Sequence, residues 1–182
     1  MELVNKALLN NDPMADPLQL EVARRQIEFA RQYTQQLIAD IDDEDWFRIP
    51  DSGVSHVAWQ VGHLAMAQYM LTLFRLRGKR AEDEAMISKT FIRTFLKGTT
   101  PVSDADKYPA AKEIREVFHR VHETVIKELA VFPPEDLDEK VVEPYVGYET
   151  RLGSLLFCAA HEMLHAGQIG ALRRQLGKAP VR

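Results

Sequence analysis

The 182 residues, 46% hydrophobic and 27% charged, have the composition of a globular protein with room for one well-packed core and too little for two large ones. A formal net charge of −4 argues against a nucleic-acid-binding face, no apolar run reaches the ~20 residues that span a bilayer, and no basic-then-apolar leader opens the chain. Cys158 is the one cysteine, so no internal disulfide can form, and a reducing cytoplasm suits the chain.

Residues 2–9 can make a short helix, which Asn10-Asn11-Asp12-Pro13 stops. Asp16-Pro17 then has the form of an N-cap followed by a first-turn proline. From there Leu20, Ala23, Ile27, Ala30, Leu37 and Ile41 recur at helical spacing, and the first long helix is expected to end in the acidic stretch 40–45. After a connection holding Pro50 and Gly53, Ser55 is the expected cap of a second long helix. Val57, Val61, Leu64, Ala65, Met70, Leu71 and Phe74 support it, and Gly78 ends it.

The span 79–109 is the least regular. Within it residues 82–96 are expected to form a short extra helix with Met86, Ile87, Ile92 and Phe95 as its apolar side. Pro109 opens a third long helix whose core face is Ile114, Phe118, Val121, Val125 and Leu129; Pro133-Pro134 stops it. Residues 135–150 form a connection, and a fourth long helix runs from about Arg151 to Leu176 with Gly177 as its stop. Arg173, Arg174, Lys178 and Arg182 fit favourable charges at a helix C-terminus better than phosphate contacts. Four long amphipathic helices, little strand signal and one long crossover between helices 2 and 3 predict an all-α four-helix bundle, one domain over residues 1–182.

Two histidines, His161 and His165, lie four apart on the last helix, hence on one face and about 6 Å apart along its axis. That spacing lets both imidazoles reach one metal ion. The alternative is a pair of groove histidines satisfied by local hydrogen bonds. His161-Glu162-x-x-His165 also matches the zinc-protease pattern, with Glu162 as general base. Against a protease, residues 166–171 hold no third histidine, and no Asp or Glu follows Glu162. Glu162 also sits about 100° away from the histidine face and is expected to be an outer or flanking charge.

A third ligand must come from upstream. His63, between Gly62 and Leu64, is the best candidate, with Gly62 and Ala65 leaving room for close approach. His56 lies two turns earlier, about 10 Å away along the axis, so at most one of the two joins the same ion. His119 and His122 are expected to be non-ligands, Cys158 to pack, and Gln168 is placed to orient a ligand. Trp59 and Tyr69 are expected to pack, with Met66 and Met70 as core fillers near the site. Three neutral imidazoles would leave a coordination position open, the pattern of a catalytic site, and would suit zinc, nickel or iron alike.

Trp59-Gln60-Val61-Gly62-His63-Leu64-Ala65 on one helix and His161-x-x-x-His165-Ala166-Gly167-Gln168 on the last resemble the DinB-like (damage-inducible, YfiT-like) helical-bundle proteins. The resemblance covers most of the chain. It implies up-down-down-up connectivity, a divalent metal held by His63, His161 and His165, and a homodimer. Characterised relatives include S-transferases that join bacillithiol or glutathione to an electrophile and a mycothiol-dependent isomerase, so the resemblance also implies a metal-dependent enzyme of the thiol S-transferase type with a small-molecule substrate. The rival expectations are a metal-binding bundle without catalysis, acting in stress response or interaction, and a metallohydrolase using Glu162.

Overall fold

A computed structural model describes residues 17–51, 53, 55–145 and 148–181. The short helix expected over residues 2–9, the Asp16 cap and Arg182 lie outside them. In chain order come α1 (Pro17–Ile38), α2 (Val57–Tyr69), and a π-helical segment (Met70–Phe74) that runs on into the single turn α3 (Arg75–Arg77). The short helices α4 (Asp83–Met86) and α5 (Lys89–Thr94) lead to α6 (Ala111–Leu129). A hairpin of β1 (Lys140–Tyr145) and β2 (Tyr148–Thr150) precedes α7 (Arg151–Gln175). The described chain is thus mostly helical with two short strands. None of its helices is long and apolar enough to cross a membrane.

The apolar stripe of α1 buries Leu20, Ala23, Ile27, Ala30 and Leu37, while Arg24 pairs with Glu21 and Glu28 along its outer side. The helix stops at Ile38, before the acidic stretch expected to hold its end; Asp43–Asp45 make a separate 3-10 turn. Arg173 on α7 is the reason the end is well defined. Its guanidinium donates to the Leu37 carbonyl at 2.7 Å, and to Asp40 and the Ala179 carbonyl, so it satisfies an otherwise orphaned helix-end acceptor. Arg173 is therefore a buried tie between the end of α1 and the segment after α7 rather than a solvated helix-end charge.

All of α2 except Trp59 is buried, as befits a helix enclosed on every side. Its N-cap is His56, whose Nδ1 accepts from the Trp59 amide at 3.1 Å, and not Ser55 as expected. Ser55 is occupied elsewhere: its hydroxyl accepts from Gln60 Nε2 at 3.0 Å. Gly78 ends this helical run with φ 77°.

The crossover carries two short helices where one was expected. Ile87 adopts an extended conformation, and Ser88 restarts the helix by accepting from the Phe91 amide at 3.1 Å. A serine cap inside an apolar run offers the backbone an alternative partner, and the helix breaks there. Likewise α6 begins at Ala111, two residues after the expected proline, and the connection before α7 contains the antiparallel hairpin, pairing Lys140 with Thr150. Thr150 also caps α7 through the Gly153 amide.

The long helices pack side by side, α1 chiefly along α7 and α2 along α6, with α2–α7 and α1–α6 contacts closing the group. Their shared interior holds Ile27, Leu64, Phe118, Leu155 and Ile169, each 1% exposed or less. The α2–α7 contact brings the three predicted histidines together.

Candidate metal centre

His63 on α2 faces His161 and His165 on α7. Ring centroids lie 5.3 Å (His63–His161), 4.8 Å (His63–His165) and 4.6 Å (His161–His165) apart. One nitrogen from each ring falls within 4.8 Å of the others, and this trio is a group that can hold a metal ion. Two donors roughly 2.0–2.1 Å from one zinc ion lie at most about 4 Å apart, so shifts of roughly 1 Å or less would seat one.

The hydrogen bonds around the rings prepare them as donors. His63 Nδ1 lies 2.8 Å from the Phe95 carbonyl, an acceptor only, so that nitrogen carries the proton. His165 Nδ1 lies 2.6 Å from Gln60 Oε1, and the Gln60 amide is itself oriented by its bond to Ser55. Both rings are thereby fixed as the tautomer whose Nε2 bears the lone pair. The Trp59 indole stacks on His63 at 4.8 Å and 8°, and its Nε1 donates to Thr99 Oγ1 at 2.9 Å. Gln168, expected to orient a ligand, lies exposed one turn beyond His165.

Burial keeps the three rings neutral. Removal from water lowers the pKa of His63, and it takes His161 to about 4 and His165 to about 3, with the neighbouring imidazoles adding repulsion. The neutral form is the one that binds metal. Gly62 permits the approach of the crossover: a Cβ there would meet ring carbons of Phe95 at 2.5 Å. Beside His63 and His161 opens a cavity of about 210 Å³, walled in part by Met66 and Met70, the residues expected near the site.

The other histidines stand apart from this group. His56 caps α2, His119 Nδ1 contacts Gln35 at 3.1 Å, and His122 Nδ1 contacts Gln68 at 3.2 Å. Cys158 is buried in the core, and desolvation pushes its thiol pKa well up, which suits packing rather than ligation.

Glu162 is not the outer charge expected. It is 2% exposed, and Arg31 on α1 holds both its oxygens, Nε to Oε1 at 2.8 Å and Nη2 to Oε2 at 3.1 Å. Arg31 also donates to Gln68 Oε1 at 2.8 Å and to the Phe118 carbonyl at 2.6 Å, and lies 3.5 Å above the Phe118 ring. This network joins all four long helices. A carboxylate so engaged is not available as general base, which removes the metallohydrolase reading. Gln60 and Arg31 escaped the sequence reasoning as functional neighbours. The signal for Arg31 was a charge between Ile27 and Thr34 on the buried stripe; Gln60 gave none beyond its helical proximity to His63.

No match is found among curated proteins. The family model of the DinB superfamily matches residues 26–169, a span that takes in His63, His161, His165 and the whole Arg31–Glu162 network. Covering most of the sequence, that match shows that the chain belongs to the DinB superfamily.

Proposed function

We propose that His63, His161 and His165 bind a divalent metal, with zinc, nickel and iron all suited to imidazole donors, and that the protein is a metal-dependent enzyme of the thiol S-transferase type. The observation that carries this reading is the trio itself: three neutral imidazoles from two helices, two of them with Nδ1 tied to carbonyl oxygens, beside an open cavity. When bound there, a divalent metal supplies charge that lowers the pKa of a ligated thiol or water. The cavity favours a small-molecule reaction over a closed structural site, in which four protein ligands are the rule. The same reading takes residues 1–182 as one domain with an up-down-down-up four-helix arrangement, working in the cytoplasm, where the lone Cys158 stays reduced.

The test is turnover by metal-reconstituted protein with a panel of low-molecular-weight thiols and haloarene and epoxide electrophiles. Activity that disappears on chelation and returns with added metal is expected. Metal-loaded protein that is inert with every thiol would overturn the transferase reading and favour a non-catalytic metal-binding module.

We further propose a homodimer formed through the α1–α7 face. Val22 and Phe29 on α1 are 43% and 63% exposed, Met163 on α7 is 38% exposed, and these three line a groove between the helices with Leu156, Ala159 and Ala160, bordered by Arg25 and Gln26. Contiguous apolar surface of this kind marks interaction sites. Sedimentation analysis should find a dimer for the native chain and a monomer for Phe29→Glu. A native monomer at tens of micromolar would exclude the dimer.

A further inference from the structure

We propose that the three histidines are unequal as ligands: His63 and His165 form a fixed pair, and His161 is the adjustable member that turns in to close the set. The inference rests on the metal reading above and gives each ring its part in it.

Hydrogen bonding separates the rings. His63 is held twice, by the Phe95 carbonyl at Nδ1 and by the Trp59 indole lying nearly parallel against its face. Trp59 is itself fixed by its bond to Thr99. His165 is held by Gln60, which is 3% exposed and is fixed in turn by Ser55. Turning His165 would strand the Gln60 oxygen, and turning His63 would take from the Phe95 carbonyl the donor it faces; leaving a buried polar group unpaired is costly. His161 has no such hold. Among the described residues none hydrogen-bonds either of its nitrogens. Its ring meets His165, His63 and Phe157 at centroid distances of 4.6, 5.3 and 5.8 Å, all in tilted contacts. Such contacts pack the ring without selecting its tautomer, which is set by the hydrogen bond that the other nitrogen makes.

Burial is not what distinguishes the two histidines of α7. Both are half-buried, and they lie one turn apart on the same helix face, so they make a matched comparison. Their positions differ in one respect. The cavity beside the site is lined by His63 and His161, and His165 is not part of its wall. The ring without a hold thus stands on the side open to an arriving ion or small molecule.

The energetic consequence is an order among the ligands. His63 and His165 present Nε2 in advance and give up little freedom when they bind. His161 must settle on one tautomer and one ring direction, and ordering a free side chain costs roughly two- to tenfold in affinity. Losing the partner that orients a ligand costs about 10–100-fold.

Two measurements test the order. Zinc affinity is read by chelator competition for the native chain, His161→Ala, His165→Ala and Gln60→Leu, each checked for folding by circular dichroism. The imidazole ¹⁵N signals of the metal-free native chain are read by NMR, which requires no variant to fold. His161→Ala should lose about tenfold less affinity than His165→Ala, and Gln60→Leu should lose about 10–100-fold. In the metal-free protein His63 and His165 should each show the single tautomer protonated at Nδ1, with His161 averaged between two. Gln60→Leu should make His165 average as well. A native chain that binds no zinc would overturn the metal reading, and this inference with it. Zinc binding by the native chain together with a His161→Ala loss as large as that of His165→Ala, a single fixed tautomer at His161, or unaltered affinity in Gln60→Leu would overturn this inference alone.

Discussion

Glu162→Ala should destabilise the protein by about 3–5 kcal/mol, the cost of leaving the other member of a buried ion pair without its partner. Arg31 is fully buried and keeps its charge, since a guanidinium does not deprotonate in proteins. The Gln68 and Phe118 oxygens and the Phe118 ring remain, but none of them carries the compensating charge. For a chain of this length the loss corresponds to a fall in Tm of roughly 10 °C. Replacing both partners with apolar residues, Arg31→Met with Glu162→Leu, should recover most of that stability, because the pair itself carries a large desolvation cost. Denaturant unfolding of the single and double variants decides the matter. A loss below about 1 kcal/mol in Glu162→Ala would show that the pair is not the buried, closed unit described here.

Gly62→Ala should reverse the usual sign of a glycine-to-alanine change in a helix. Alanine ordinarily stabilises a helix interior by about 0.5–1 kcal/mol. Here its Cβ would stand 2.5 Å from ring carbons of Phe95, which is fully buried and cannot swing aside. Overpacking of this kind costs about 1–3 kcal/mol. The effect should also reach the histidines. Displacing Phe95 moves the carbonyl bound to His63 Nδ1, and disturbing such an orienting bond lowers metal affinity by about 10–100-fold. Chelator competition with zinc, run beside denaturant unfolding, separates the two effects. An unchanged zinc affinity in a destabilised variant would show that the Phe95 carbonyl does not orient the ring.

Much of the architecture was legible because burial writes itself into helical periodicity. The stripes of α1 and α6 and the glycines after α3 and α7 lie close to their expected places. The histidine trio was legible for a geometric reason: two donors at i and i+4 share a face, and Gly62 beside His63 marks a close approach. Glu162 was misjudged although its angle from the histidines was right. On a helix that packs against both α1 and α2, a residue off one buried face can lie on another. The clue was on α1, where Arg31 interrupts an apolar stripe and so requires a buried partner. Other features depend on local competition that periodicity does not record. Ser88 splits the crossover helix by capping Phe91, and His56 takes the cap position because Ser55 is bound to Gln60. The hairpin lies within a connection too short to show an alternating pattern. The π-helical segment is a hydrogen-bond shift within an unbroken apolar run, and composition carries no trace of it.

The most direct test of the central claim is the metal content of the purified chain after zinc loading and exhaustive dialysis, measured by elemental analysis beside His63→Ala and His165→Ala. One ion per chain is expected for the native protein, with stoichiometric binding lost in both variants although they remain folded by circular dichroism. A native chain without stoichiometric metal, or a folded His63→Ala protein that retains its ion, would contradict the account.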